Sequence, residues 1–141
     1  MFIMYGDDEQ LDRDTVSAAL TARGYKVQSL DTSQTDEMTV RLKQICAEQG
    51  PPDVFIVDGH NVLRDKAGNK LYDMTPLGMV SWLRQNGIST QSKFILYSND
   101  DEMVRQAQTN RNLNFFEAVP KAGANGGLLA LLKAVERAAQ S

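Results

Sequence analysis

The sequence predicts an α/β domain: a doubly wound, five-stranded parallel sheet flanked by five helices, with an inserted loop or hairpin after the third strand. Two observations carry this. Short apolar runs rich in β-branched and aromatic residues alternate with helix-period segments along the whole chain, and the helix-length connections are those that parallel crossovers require. The run DVFIV, residues 53–57, is apolar without alternation, the mark of a central strand covered on both faces.

Each element follows in order. FIMYG, residues 2–6, reads as the first strand, and in LDRDTVSAALTARG the residues Leu11, Val16, Ala19 and Leu20 fall on one helical face. Gly24 stands just past that helix's end. YKVQSL reads as a weak second strand, and Met38, Leu42, Ile45 and Cys46 stripe a second helix stopped by Gly50-Pro51-Pro52. After DVFIV comes a polar insert over residues 59–75. Thr75-Pro76 then suits an N-cap and first-turn proline for a third helix, which buries Val80, Leu83 and Met79 and ends at Gly87. KFILYS is the fourth strand, and Asn99 caps a helix that buries Met103, Val104 and Ala107. LNFFEAV is the fifth strand. Leu128, Leu131, Leu132 and Val135 line the last helix.

With 141 residues, 42% hydrophobic and 23% charged, the chain fits one globular domain spanning 1–141, large enough to bury its own core. The single Cys46 cannot form an intrachain disulfide, and its helical position suits a packed thiol in a reducing compartment. Neither a signal peptide nor a run of about 18 apolar residues is present, so the expectation is a cytoplasmic protein without a membrane span. A net charge of −3 and a pI near 5.1 give no basic footprint for nucleic acid, and direct binding to it is not expected.

In doubly wound sheets the ligand crevice lies beyond the C-terminal ends of the strands. Strand one ends in Asp7-Asp8, strand three in Asp58, strand four in Ser98-Asn99-Asp100 and strand five in Pro120-Lys121. Two carboxylates about 4 Å apart repel by roughly 4 kcal/mol at an effective dielectric of about 20, so such a cluster calls for a cation or raised pKa values. Mg²⁺ suits it, because that ion takes carboxylate, water and phosphate oxygens together. Lys121 and the Ser98 hydroxyl could then hold the remaining oxygens of a phosphoryl group on Asp58, a carboxylate competent as a nucleophile once its surroundings neutralise the incoming charge.

On these residues the chain resembles the receiver domains of two-component response regulators. The likeness runs through the acid pair Asp7-Asp8, the spacing of Pro52, Asp53 and Asp58, the hydroxyl of Ser98, Lys121, and Leu128 opening the last helix. It implies that Asp58 is the phosphoacceptor, that Asp8 binds Mg²⁺ directly and Asp7 through water, and that the His60 backbone carbonyl is a further metal ligand. It also implies that Ser98 and Lys121 sense the phosphoryl group. A histidine kinase or phosphotransfer protein would be the donor, and a downstream protein target or a homodimer the output. The chain departs from the family at four places. The insert separates Asp58 from the third helix, Ala122 follows Lys121 where the family has proline, Ala118 stands where the family carries an aromatic, and Asn99 where it carries a very small residue.

Ala67-Gly68-Asn69, between Val62-Leu63 and Leu71-Tyr72, reads as the turn of a small hairpin at the active-site edge, either a flap or a solvated loop. The lone His60 suits packing or solvent better than a metal, with water access to the acceptor as its best functional role. Two other functions fit parts of the pattern. VDGHNVL resembles the entry motif of PIN-like and NYN-type metal-dependent nucleases, although that motif belongs on a first strand and here two strand-helix units precede it. A receiver fold that no longer takes a phosphoryl group and serves as an interaction module is the other.

Overall fold

A computed structural model of the chain describes residues 1–32, 35–58, 61–64, 70–74, 85, 87, 91–110, 114–122 and 126–141. Seven strands lie among them: β1 Phe2–Asp7, β2 Lys26–Asp31, β3 Val54–Asp58, β4 Asn61–Arg64, β5 Lys70–Met74, β6 Lys93–Ser98 and β7 Glu117–Pro120. The described helices are α1 Gln10–Ala22, α2 Thr35–Gln49, α3 Asp101–Thr109 and α4 Leu128–Gln140. The parallel sheet runs β2-β1-β3-β6-β7, and β4 and β5 pair antiparallel in a separate two-stranded ribbon. That ribbon is the hairpin expected in the insert. The predicted third helix, with Met79, Val80 and Leu83, and the side chain of Met38 fall outside the described residues, as does His60.

Strand residues alternate faces, and here both faces are apolar. Phe2 and Met4 of β1, Phe55 and Val57 of β3, and Phe94 and Leu96 of β6 pack on one side with Leu42 and Ile45 of α2 and Val104 of α3. The alternate residues Ile3, Tyr5, Val54, Ile56, Ile95 and Tyr97 pack on the other side with Val16 and Leu20 of α1 and Leu131, Ala134 and Val135 of α4. Each such side chain, fully buried, is worth about 1.5–3 kcal/mol, so the three central strands dominate stability. Phe55 and Phe94 stack across β3 and β6 with centroids 5.8 Å apart. Cys46 is half-buried against the first cluster, and burial pushes its thiol up, away from reactivity.

Three local expectations need correction. Leu11 does not join the core: it is 75% exposed, while Val16 and Leu20 are buried and Ala19 packs beside them. Asp100, not Asn99, caps α3, its Oδ1 accepting from the backbone N–H groups of Glu102 and Met103 at 3.1 Å each. The fifth strand is shorter than LNFFEAV. Asn114 takes a left-handed conformation (φ 58°), which breaks the extended run, and β-pairing begins only at Glu117.

Candidate functional site

Sheet register brings the predicted acids together. Gly6 pairs with Val57, so Asp7 and Asp58, each one residue further on, emerge side by side from the C-terminal ends of β1 and β3. Asp7 and Asp58 share the strand parity of Tyr5, Ile56 and Tyr97, which places them toward the α1 and α4 side. Pro120 ends β7 opposite Ser98, and the Lys121 backbone N–H donates to the Ser98 carbonyl at 2.7 Å. Lys121 is thereby delivered from the far strand to the same crevice.

Its ammonium is the centre of the site. Lys121 Nζ lies 3.0 Å from Asp7 Oδ2, 3.1 Å from Asp12 Oδ2 and 3.3 Å from Asp58 Oδ1. The Tyr97 ring centroid is 5.0 Å from the same Nζ, within cation–π range. Burial opposes the charge, yet Asp58 and Asp7 overcome it and hold the lysine well above its usual range.

Asp7 is fully buried and satisfied on both oxygens. Oδ1 accepts from the Glu9 N–H at 2.9 Å, while Oδ2 accepts from the Tyr5 hydroxyl at 2.5 Å and from Lys121. Burial works against its ionisation, but these three donors outweigh it and keep Asp7 below the usual carboxylate range. Asp8 goes the other way: burial, then the adjacent Asp7 carboxylate, push its pKa up. Tyr5, desolvated and facing Asp7, is driven far above an ordinary phenol and stays a hydrogen-bond donor.

Ser98 is buried, and its Oγ accepts from the Asp100 N–H at 3.0 Å, fixing the turn from β6 into α3. Beyond Lys121 the chain turns into α4 through Gly126 and Gly127, both at positive φ. A Cβ on Gly127 would lie 2.1 Å from the Pro120 carbonyl oxygen, and the Tyr97 hydroxyl donates to the Gly126 carbonyl at 2.5 Å. This close approach fixes the backbone on either side of Lys121.

Three participants escape a search of strand ends. Tyr5 sits two residues before Asp7 on the same strand face, a spacing that contained the signal. Tyr97 precedes Ser98, and its long apolar strand gave it the look of a core residue. Asp12 lies in the first turn of α1, where an acid is explained by the helix dipole alone.

Among the described residues, Asp7, Asp8 and Asp58 each offer a carboxylate oxygen within 4.8 Å of the others. Octahedral Mg²⁺ with oxygens at about 2.1 Å separates opposite ligands by about 4.2 Å. Three such ligands include neighbours about 3.0 Å apart, so these oxygens would draw together by up to about 1.8 Å to share one hard divalent ion. The charge balance points the same way, with four carboxylates, counting Asp12, against one ammonium.

No protein-family model matches the sequence, and no curated protein matches it. Solved structures do. The Vibrio cholerae chemotaxis protein CheY4 superposes with a TM-score of 0.66 at 20% identity, covering 97% of each chain. A response regulator receiver protein from Pseudomonas putida gives 0.65 at 19% identity, covering 96% of this chain and 95% of that one. The Thermotoga maritima response regulator TrrA, solved in complex with Mg²⁺ and BeF, gives 0.63 at 15% identity, covering 97% of each. Five parallel strands in the order β2-β1-β3-β6-β7, matched end to end by these proteins, give this chain the fold of the response-regulator receiver domains.

Proposed function

We propose that the chain is a phosphorelay receiver that accepts a phosphoryl group on Asp58 from a histidine kinase or phosphotransfer protein. One observation carries this: Lys121 Nζ reaches Asp58 at 3.3 Å and Asp7 at 3.0 Å, where Asp7, Asp8 and Asp58 also converge. Mg²⁺ held by Asp7, Asp8 and Asp58, with the His60 carbonyl as a further ligand, would neutralise the charge that the phosphoryl oxygens bring.

The chain's own residues supply the rest. An Asp58 oxygen attacks phosphorus, the donor's P–N bond breaks with its electron pair remaining on the imidazole nitrogen, and an acyl phosphate forms. Lys121 balances charge on the transferred oxygens, and Ser98 offers its hydroxyl to one of them. Asp7, held ionised by Tyr5 and Lys121, contributes a fixed negative charge to the cation site. The receiver thus promotes its own phosphorylation, as a partner in the transfer rather than an enzyme acting on a separate substrate.

Output runs through protein contact, with a downstream target or a second copy. The face formed by α3, β7 and α4 suits it: Phe116 is 36% exposed there, beside a groove of about 390 Å³ that Phe115, Val119 and Ala130 help to line. No described helix is long and apolar enough to cross a membrane, in keeping with a cytoplasmic role.

Intact-mass spectrometry after incubation with a small-molecule phosphodonor and Mg²⁺ tests the proposal. A single phosphoryl adduct that is absent without Mg²⁺ and absent in Asp58→Asn is the expected result. No adduct with any donor would leave the fold as an interaction module.

A further inference from the structure

We infer that Asp12 is a positioning residue that competes for the Lys121 ammonium, so that opening the Lys121–Asp12 bond frees a further donor for the phosphoryl oxygens and speeds transfer onto Asp58. This rests on Asp58 being the phosphoacceptor.

An ammonium has three N–H donors. In this structure three carboxylates meet Lys121 Nζ, Asp7 at 3.0 Å, Asp12 at 3.1 Å and Asp58 at 3.3 Å. Two of its donors bond to Asp7 and Asp12, Asp58 faces it as an ion pair, and at 12% exposure the side chain has little access to water. The oxygens of a phosphoryl group arriving beside Asp58 therefore compete with Asp7 and Asp12 for the same ammonium.

The three bonds differ in what it costs to open them. Asp7 is completely buried, and losing Lys121 would strip a partner from a charge that water cannot reach. Asp58 is the acceptor, and its bond to Lys121 is the one that transfer redirects to the new phosphoryl oxygens. Asp12 is 40% exposed on the first turn of α1, where water replaces the lysine at little cost. The Asp12 bond is the one that yields.

The remainder of Lys121 stays in place. Its backbone N–H is tied to Ser98, and Gly127 packs against Pro120 behind it. Only the side chain is left to turn, exchanging its bond to Asp12 for one to the phosphoryl oxygens. An acid in the first turn of a helix is ordinary. Asp14, two residues further on and so on another side of the helix, is also acidic and exposed, but it is Asp12 that spans 109 positions of sequence to reach the lysine.

The test compares the rate of adduct formation in the unmodified protein, Asp12→Asn and Asp14→Asn, at saturating Mg²⁺ with one small-molecule phosphodonor. Asp12→Asn should react about three- to tenfold faster, the range set by one partly exposed ion pair. Asp14→Asn, which removes the same charge from the same helix, should leave the rate unchanged. Calorimetric titration with Mg²⁺ should show affinity in Asp12→Asn within about threefold of the unmodified protein.

Equal or slower reaction in Asp12→Asn would overturn the inference while leaving Asp58 the acceptor. Equal acceleration by Asp14→Asn would reduce the effect to net charge, and a loss of Mg²⁺ affinity beyond about tenfold would make Asp12 a metal ligand instead. No adduct in any of the three proteins would overturn the phosphoacceptor proposal itself.

Discussion

Replacing Tyr5 by phenylalanine removes one oxygen from the buried heart of the site. The ring stays where it is, fully buried and tilted 54° to Tyr97 at 6.4 Å, so packing is preserved. What changes is Asp7, which loses the hydroxyl at 2.5 Å and keeps the Glu9 N–H at 2.9 Å and Lys121 at 3.0 Å. A hydrogen bond to a buried charge is worth about 1.5–3 kcal/mol, so the variant should lose about 2 kcal/mol at neutral pH. The pH dependence has a definite sign. Asp7 is held below the usual carboxylate range, so its ionised form contributes stability that is full above the unfolded pKa and is lost as pH falls through the lower, folded one. Without the hydroxyl the folded pKa of Asp7 rises. The gap between the two proteins should then be widest near pH 7 and narrow as pH drops through about 4. Urea denaturation across that range measures it, as a lower midpoint with unchanged slope. A loss under about 0.5 kcal/mol at pH 7, or a gap that does not vary with pH, would refute the place given to Tyr5.

Other substitutions probe the same framework. Gly127→Ala puts a Cβ 2.1 Å from the Pro120 carbonyl oxygen at a left-handed residue, and should cost at least about 2 kcal/mol in urea denaturation; a near-neutral result would mean the turn behind Lys121 is not tight. Lys121→Met leaves the acids without their ammonium, so Mg²⁺ should bind at least about tenfold more tightly by calorimetry, while unchanged affinity would detach the lysine from the metal site. Asp100→Ala should destabilise by about 1 kcal/mol and Asn99→Ala by much less, which thermal denaturation of the pair separates.

The central sheet was legible because burial on both faces leaves a plain mark, and DVFIV and KFILYS could hardly be anything else. Strand ends followed from strand bounds, and with them Asp7, Asp8, Asp58, Ser98 and Lys121. Periodicity was less informative at the start of α1: Leu11 has the spacing of a buried residue and faces solvent. Asn99 and Asp100 are equally good caps by type, and the difference of one residue is set by where β6 releases the chain. In LNFFEAV the hydrophobic run is continuous, but Asn114 turns the backbone, and Phe116 instead bonds through its N–H to the Phe94 carbonyl at 2.8 Å. The hairpin was readable from its turn residues, since Ala67-Gly68-Asn69 separates two short apolar pairs. Asp12 and Tyr97 could not be found from sequence spacing, because their roles depend on a lysine more than 20 residues beyond Tyr97 and 109 beyond Asp12.

Identification of the phosphorylated side chain tests the central claim most directly. Borohydride reduces an acyl phosphate to the alcohol, so treatment of the donor-reacted protein followed by peptide sequencing in the mass spectrometer should find homoserine at position 58. Homoserine at position 7, 8 or 12, or aspartate intact at 58 in protein that carries the phosphoryl mass, would contradict it.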